Sequence, residues 1–197
     1  MFSQYLRVFV RPLVLAFPFQ IALLTPLTGA WAQTSHHKGI SLVKATGRTL
    51  SQRTLSGIEK TATHGSVSSD KRTLTFMETA ITLIVHTGPD DDMLSYRIAG
   101  LKSPTLLVPR GSTLNVLFVN EDGDMKHDLR FTDKQAPFPA EPDRKVSVGS
   151  PPLAPQAKGV RHAEQMVLRT ASPGTYTYLC TVKGHASGGM FGTIVVR

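Results

Sequence analysis

The chain is expected to be all-β, built from short strands packed as a sandwich or barrel. Three observations predict this. Short segments rich in Val, Ile, Leu and Thr recur from Thr73 to the C-terminus, which is β-type composition. Gly and Pro interrupt them at Gly88-Pro89, Gly100, Pro104 and Ser172-Pro173-Gly174. Thr113–Asn120 also alternates, with Leu114, Val116 and Phe118 on one face and Asn115, Leu117 and Val119 on the other.

The elements follow in order. Arg7 and Arg11 precede an uncharged stretch from Pro12, and Ala30-Trp31-Ala32 forms an A-x-A cleavage pattern. Residues 1–32 therefore read as a signal peptide, with Gln33 as the mature N-terminus. The alternative is an uncleaved membrane anchor, although Pro18, Gln20 and Pro26 count against a clean spanning helix. Cleavage would also remove Trp31, the one Trp of the chain. Residues 33–72 read as an N-terminal extension. It opens with a flexible polar lead-in at 33–48, then a weak helical pattern over Thr49–Lys60 (Leu50, Leu55, Ile58) and a Gly/Ser turn at His64–Asp70.

Residues 73–197 form the expected domain. Its strands are predicted at Thr73–Met77, Ile81–Thr87, Leu94–Ala99, Thr105–Pro109, Thr113–Asn120, Lys126–Thr132, Gln165–Thr170, Thr175–Cys180 and Met190–Arg197. Asp133–Val160 breaks the pattern. It holds six of the 13 prolines, which remove backbone donors and exclude a central strand or long helix. The segment reads as a rigid flap crossing one edge of the sandwich, with a disordered insertion as the alternative.

Composition removes several classes of function. With one Cys in 197 residues, intramolecular disulfides and Cys-rich metal modules are out. Neither a G-x-x-x-x-G-K-[ST] loop nor a G-x-S-x-G elbow is present. The formal charge is +8, and it falls to +6 once Arg7 and Arg11 are removed, leaving 20 of the 22 basic residues against 14 acidic ones. That favours anionic partners or surfaces in general. The positive charge is scattered and no aromatic platform accompanies it, so nucleic acid is not an expected partner.

The single Cys is the informative residue. A free thiol outside the cytoplasm oxidises unless something occupies it. Cys180, His185 and Met190 stand at C-x4-H-x4-M between two β-like segments. They offer a thiolate, an imidazole nitrogen and a soft thioether, which with one more His make the His2Cys set with a weak axial Met that suits a blue copper ion. Six other His residues are available. His36 and His37 lie in the polar lead-in, His64 in a turn, His86 at a strand end and His162 just after the flap. His127 is the best placed, opening the run H-D-L-R-F after the Glu121-Asp122-Gly123-Asp124 break.

FVNEDGDMKHDLRF and GTYTYLC…H…GMFGTIVV resemble the cupredoxin family. The C-x4-H-x4-M spacing, the PTLLVPRGSTLNVLFVN run, the Pro-rich flap and the N-terminal extension are together most similar to the rusticyanin group within it, over roughly 50–197. The resemblance implies a Greek-key β-sandwich and one type 1 copper held by His127, Cys180, His185 and Met190. It also implies one-electron transfer in the periplasm, with c-type cytochromes as partners and no enzymatic activity. A monomer is expected, on a membrane only if the leader is uncleaved. His127 should be the more buried ligand and His185 an exposed electron port, with Phe191, Pro137, Phe138 and Pro139 as an apolar rim.

Rival functions have signatures of their own. A copper carrier or storage protein would want exchangeable, clustered Met or Cys donors, but Met77, Met93, Met125 and Met166 are dispersed. A multicopper enzyme needs His-x-His pairs, and a Cys–His hydrolase would use Cys180 as a nucleophile. One residue departs from the family pattern. After the first His the family often has Asn or Ser, and here stands Asp128. An ionised Asp128 would still tie the two ligand loops together, yet lower the potential relative to Asn; the alternative is a salt bridge to a surface Arg or Lys.

Overall fold

The computed structural model describes residues 39–197. The expected signal peptide, residues 1–32, and residues 33–38 lie outside the described residues. In chain order the strands are β1 (Ile40–Ser51), β2 (Ser66–Val67), β3 (Thr73–Thr75), β4 (Ala80–Thr87), β5 (Tyr96–Ile98), β6 (Leu101–Lys102), β7 (Thr105–Val108), β8 (Thr113–Asn120), β9 (Arg130–Thr132), β10 (Val148–Gly149), β11 (Val160–Thr170), β12 (Gly174–Leu179) and β13 (Phe191–Val196). Among the described residues the single α-helix, α1, spans Gln52–Glu59. The strands form two sheets, β1-β11-β8-β4-β5-β6 and β10-β9-β12-β13-β7-β3-β2. The chain crosses between them after β1, β3, β6, β7, β8, β10 and β11, the Greek-key sandwich expected from the sequence.

The main core lies between the sheets. It is lined by Leu114, Val116 and Phe118 of β8, the face that the alternation marked, together with Ile81, Leu83 and Val85 of β4 and Ile194 and Val196 of β13. Leu117 and Val119, on the other face of β8, pack with Leu50, Leu55, Ile84 and Ala163 in a second cluster. That cluster is where α1 docks. Ser51 caps the helix by accepting from the Thr54 N–H at 3.2 Å, and Leu55 is fully buried.

The expected flexible lead-in is a strand from Ile40 onward. β1 pairs along its length with β11, from Ile40 opposite Thr170 to Ser51 opposite Val160. Residues 43–49 are exposed, so the strand is held by backbone hydrogen bonds rather than by burial. A reading based on apolar periodicity has nothing to detect there. β11 begins at Val160 instead of Gln165, because residues 160–164 continue the pairing with β1 from Gly47 to Ser51.

The flap is ordered and lies on one edge of the second sheet. β10 pairs with β9 through Val148–Phe131 and Gly149–Arg130. A short 3-10 turn covers Arg144–Val146, capped by the Asp143 side chain, and the Ala136–Pro137 bond is cis.

Candidate metal centre

His127 lies between β8 and β9, outside either strand. The expected strand over Lys126–Thr132 shortens to Arg130–Thr132, and His127 is fixed instead by an isolated bridge to Leu153 of the flap. Asn120, the last residue of β8, organises this loop. Its amide donates to the carbonyls of Met125, Leu153 and Ala154 at 3.0–3.2 Å, and its oxygen accepts from the Asp122 N–H. Cys180 directly follows β12 and Met190 directly precedes β13, joined by the Cys180 N–H to Met190 carbonyl bond at 3.1 Å. The nine-residue return between them needs left-handed backbone at Gly184 (φ +85°) and Gly189 (φ +106°), where glycine carries no steric cost. The Gly184 N–H also donates to Ala140 of the flap at 2.7 Å.

The structure brings all four candidate residues together. One donor atom from each of His127, Cys180 and His185 lies within 4.8 Å of the others. His127 Nδ1 is 3.2 Å from His185 Nδ1 and 3.1 Å from Met190 Sδ, and Cys180 Sγ is 3.5 Å from His185 Nδ1. His127, Cys180 and Met190 are completely buried. His185 is only 7% exposed, less than a residue on an open loop, because the flap is bonded to the neighbouring Gly184 and pairs Glu141 with Lys183. Phe191 and Phe138 are half-buried and meet edge-to-face with ring centres 5.3 Å apart. Pro137 and Pro139 are exposed beside them, so these residues form an apolar surface next to the site.

The chemistry of this donor set fits a soft metal ion. His127 Nε2 lies 3.0 Å from Asp122 Oδ2. An ionised carboxylate only accepts, so a neutral ring protonated on Nε2 satisfies this contact and aims the Nδ1 lone pair inward. A thioether has no proton to give, so the lone pairs converge on a point that a cation would satisfy. Burial pushes the Cys180 thiol up to about 12, and the nearby Asp128 charge adds to the effect. A thiolate there therefore depends on a bound cation. Burial, then the neighbouring His127, lowers the pKa of His185 and keeps its ring neutral and able to coordinate.

Two carboxylates flank the cluster. Asp128 is fully buried. It accepts from the Thr181 N–H and hydroxyl, both at 2.6 Å, and so ties the His127 loop to the Cys180 loop. It also pairs with Arg144 of the flap. Asp128 is thus a loop tie and also one half of a salt bridge, the alternative read from the sequence. Its N–H points at Cys180 Sγ at 3.5 Å, and its carbonyl accepts from the Tyr96 hydroxyl at 2.5 Å. Asp122 is the second carboxylate. Burial raises its pKa, but hydrogen bonds from His127 and from the Asp124 and Met125 N–H groups prevail and lower it.

Sequence reasoning missed Asp122 and Arg144 as supports of the site. The Asp122-Gly123 turn signal was visible, and the acid five residues before a His was the one available clue. Arg144 carries no local signal, because a fold-level contact brings it to Asp128.

Residues 60–197 match the family model of the sulfocyanin (SoxE) domain. Over 103 residues the chain is 34% identical to a rusticyanin of Acidithiobacillus ferrooxidans, covering 52% of this chain and 66% of that one. A sulfocyanin of Sulfolobus acidocaldarius is 25% identical over 123 residues, 58% of this chain and 61% of that one. The chain thus spans a little under two thirds of the length of these curated relatives. A rusticyanin structure from Thiobacillus ferrooxidans superposes with a TM-score of 0.65 at 25% identity, covering 78% of this chain and 99% of that one. A structure of the copper protein rusticyanin gives 0.63 at 26%, covering 77% and 98%. By its match to the sulfocyanin domain over most of its length, and by its rusticyanin-like sandwich, the chain belongs to the cupredoxin family.

Proposed function

We propose that the chain is an exported, periplasmic electron-transfer protein carrying one type 1 copper ion. The observation that supports this best is the convergence of His127, Cys180 and His185 donor atoms within 4.8 Å of one another, with the Met190 thioether beside them. In this reading His127 Nδ1, His185 Nδ1 and the Cys180 thiolate are the strong ligands and Met190 the weak one. Thiolate and thioether favour Cu(I), imidazole tolerates Cu(II), and a site held by two strands and a flap has little to rearrange as one electron enters or leaves. The partners are redox proteins such as c-type cytochromes. They dock transiently on the apolar surface of Phe138, Phe191, Pro137 and Pro139, close to the His185 loop. Residues 1–32 act as a cleaved signal peptide, and the protein works as a monomer without enzymatic turnover.

Adding Cu(II) to the purified protein tests the reading. An intense blue band with a type 1 EPR signal is expected. Cys180→Ser should abolish the band, since the thiolate supplies the charge-transfer donor. His127→Ala and His185→Ala should shift or weaken it. Colourless Cu(I) binding without a blue Cu(II) form would favour a copper carrier.

A further inference from the structure

The two buried carboxylates beside the site differ in how they are compensated. Asp128 has a cation: the Arg144 guanidinium contacts its Oδ2, and Thr181 supplies two more donors. Asp122 has none. Its partners are the Asp124 and Met125 N–H groups, at 2.7 and 2.8 Å on Oδ1, and the His127 ring on Oδ2. Its side chain is 5% exposed and that of His127 is 0%, so water screens the contact poorly. The two backbone donors fix the carboxylate, and the fixed carboxylate fixes the ring.

We propose that Asp122 is a positioning residue that locks the Nε2–H tautomer of His127, and that its uncompensated negative charge, passed through the imidazole, favours Cu(II) over Cu(I). This rests on the copper reading above. A carboxylate behind a ligating histidine orients the ring and raises its basicity, and a more basic imidazole stabilises the more highly charged ion. The Asp128 charge, cancelled by Arg144, has a smaller influence. The potential-setting acid is therefore Asp122 rather than the residue next to the ligand. During one-electron reduction of Cu(II) to Cu(I), the proton on His127 Nε2 stays in place.

Two measurements test this. In the metal-free protein, nitrogen-15 NMR of the His127 ring should show the proton on Nε2; a dominant Nδ1–H tautomer would overturn the positioning role whether or not copper binds. In the copper-loaded protein, redox titrations compare the wild type with Asp122→Asn and Asp128→Asn. Asn at 122 keeps an acceptor oxygen and loses the charge, so the copper potential should rise. The expected size is about a tenfold change in the ratio of Cu(II) to Cu(I) affinity, which is about 59 mV for a one-electron couple, and Asp128→Asn should move it less. A potential that is unchanged or lower in Asp122→Asn, or a larger shift in Asp128→Asn, overturns the charge role while leaving the copper site standing. A wild-type protein without a blue band would remove the copper reading itself, and the charge role with it.

Discussion

At the scale of single residues, the site depends on a few buried polar contacts that reach across the chain. Arg144 is the clearest case. Its guanidinium bonds Asp128, the Thr181 hydroxyl at 2.6 Å and the Ser150 carbonyl at 3.1 Å, joining flap, His127 loop and Cys180 loop. Asp128 is fully buried and the Arg144 side chain is 38% exposed. An exposed pair of this kind contributes little, but removing the cation here leaves a buried carboxylate uncompensated. Arg144→Ala should therefore destabilise the protein by roughly 3 kcal/mol, at the low end for a broken buried pair. Urea unfolding measures it. In the double variant with Asp128→Asn the loss should be clearly less than the sum of the single losses, as expected for a coupled pair.

At the scale of elements, the flap shows what the sequence could and could not reveal. Its prolines excluded a regular element, and it does cross a sheet edge as expected. What fixes it there was not legible, because the fixing contacts are non-local. Gly149 carries φ +150°, and a Cβ on it would collide with the backbone of Leu129 and Arg130. Gly149→Ala should thus break the β10–β9 pairing. The expected cost is about 2 kcal/mol or more, since backbone cannot move aside as a side chain can. Faster proteolysis within 133–150, alongside a lower unfolding midpoint, would report it. The ligand loop was more legible than the flap: the donor spacing and glycines between β12 and β13 are local, and all four candidate residues meet. β1 was illegible for the opposite reason. Its pairing with β11 uses backbone groups that every residue has, so a polar, small-residue segment gives no sign of it.

At the scale of the whole molecule, acid response is a sum of opposed contributions, and their signs separate. Asp92, Glu121 and Asp122 are among the carboxylates with lowered values. Asp92 is held down by Lys102, Ser95 and Arg97 against the opposing effect of burial, Glu121 chiefly by His86, and Asp122 by His127 and two backbone N–H groups despite burial. A depressed carboxylate stabilises the fold above its unfolded pKa, and that stability is lost as pH falls through the folded value. All three therefore weaken the protein in acid, where the loss of negative charge also adds to an already basic chain. Glu164 runs the other way. It is buried on β11, and burial raises its pKa above the ordinary 4.5. Below that ordinary value it is neutral in both folded and unfolded chains and costs nothing. As pH rises through 4.5 and past the raised folded value, the unfolded chain ionises more readily and the fold loses stability. Glu164→Gln should remove this penalty. The melting midpoint at pH 7 should rise by about 2 °C, the scale for somewhat under 1 kcal/mol in a chain of this size, and the gain should vanish near pH 3. Melting curves of both proteins across that range decide the matter: a gain that persists undiminished at pH 3 would mean that Gln acts through packing against Gly47 and Phe118, the residues paired with position 164 on either side, and not through the lost charge.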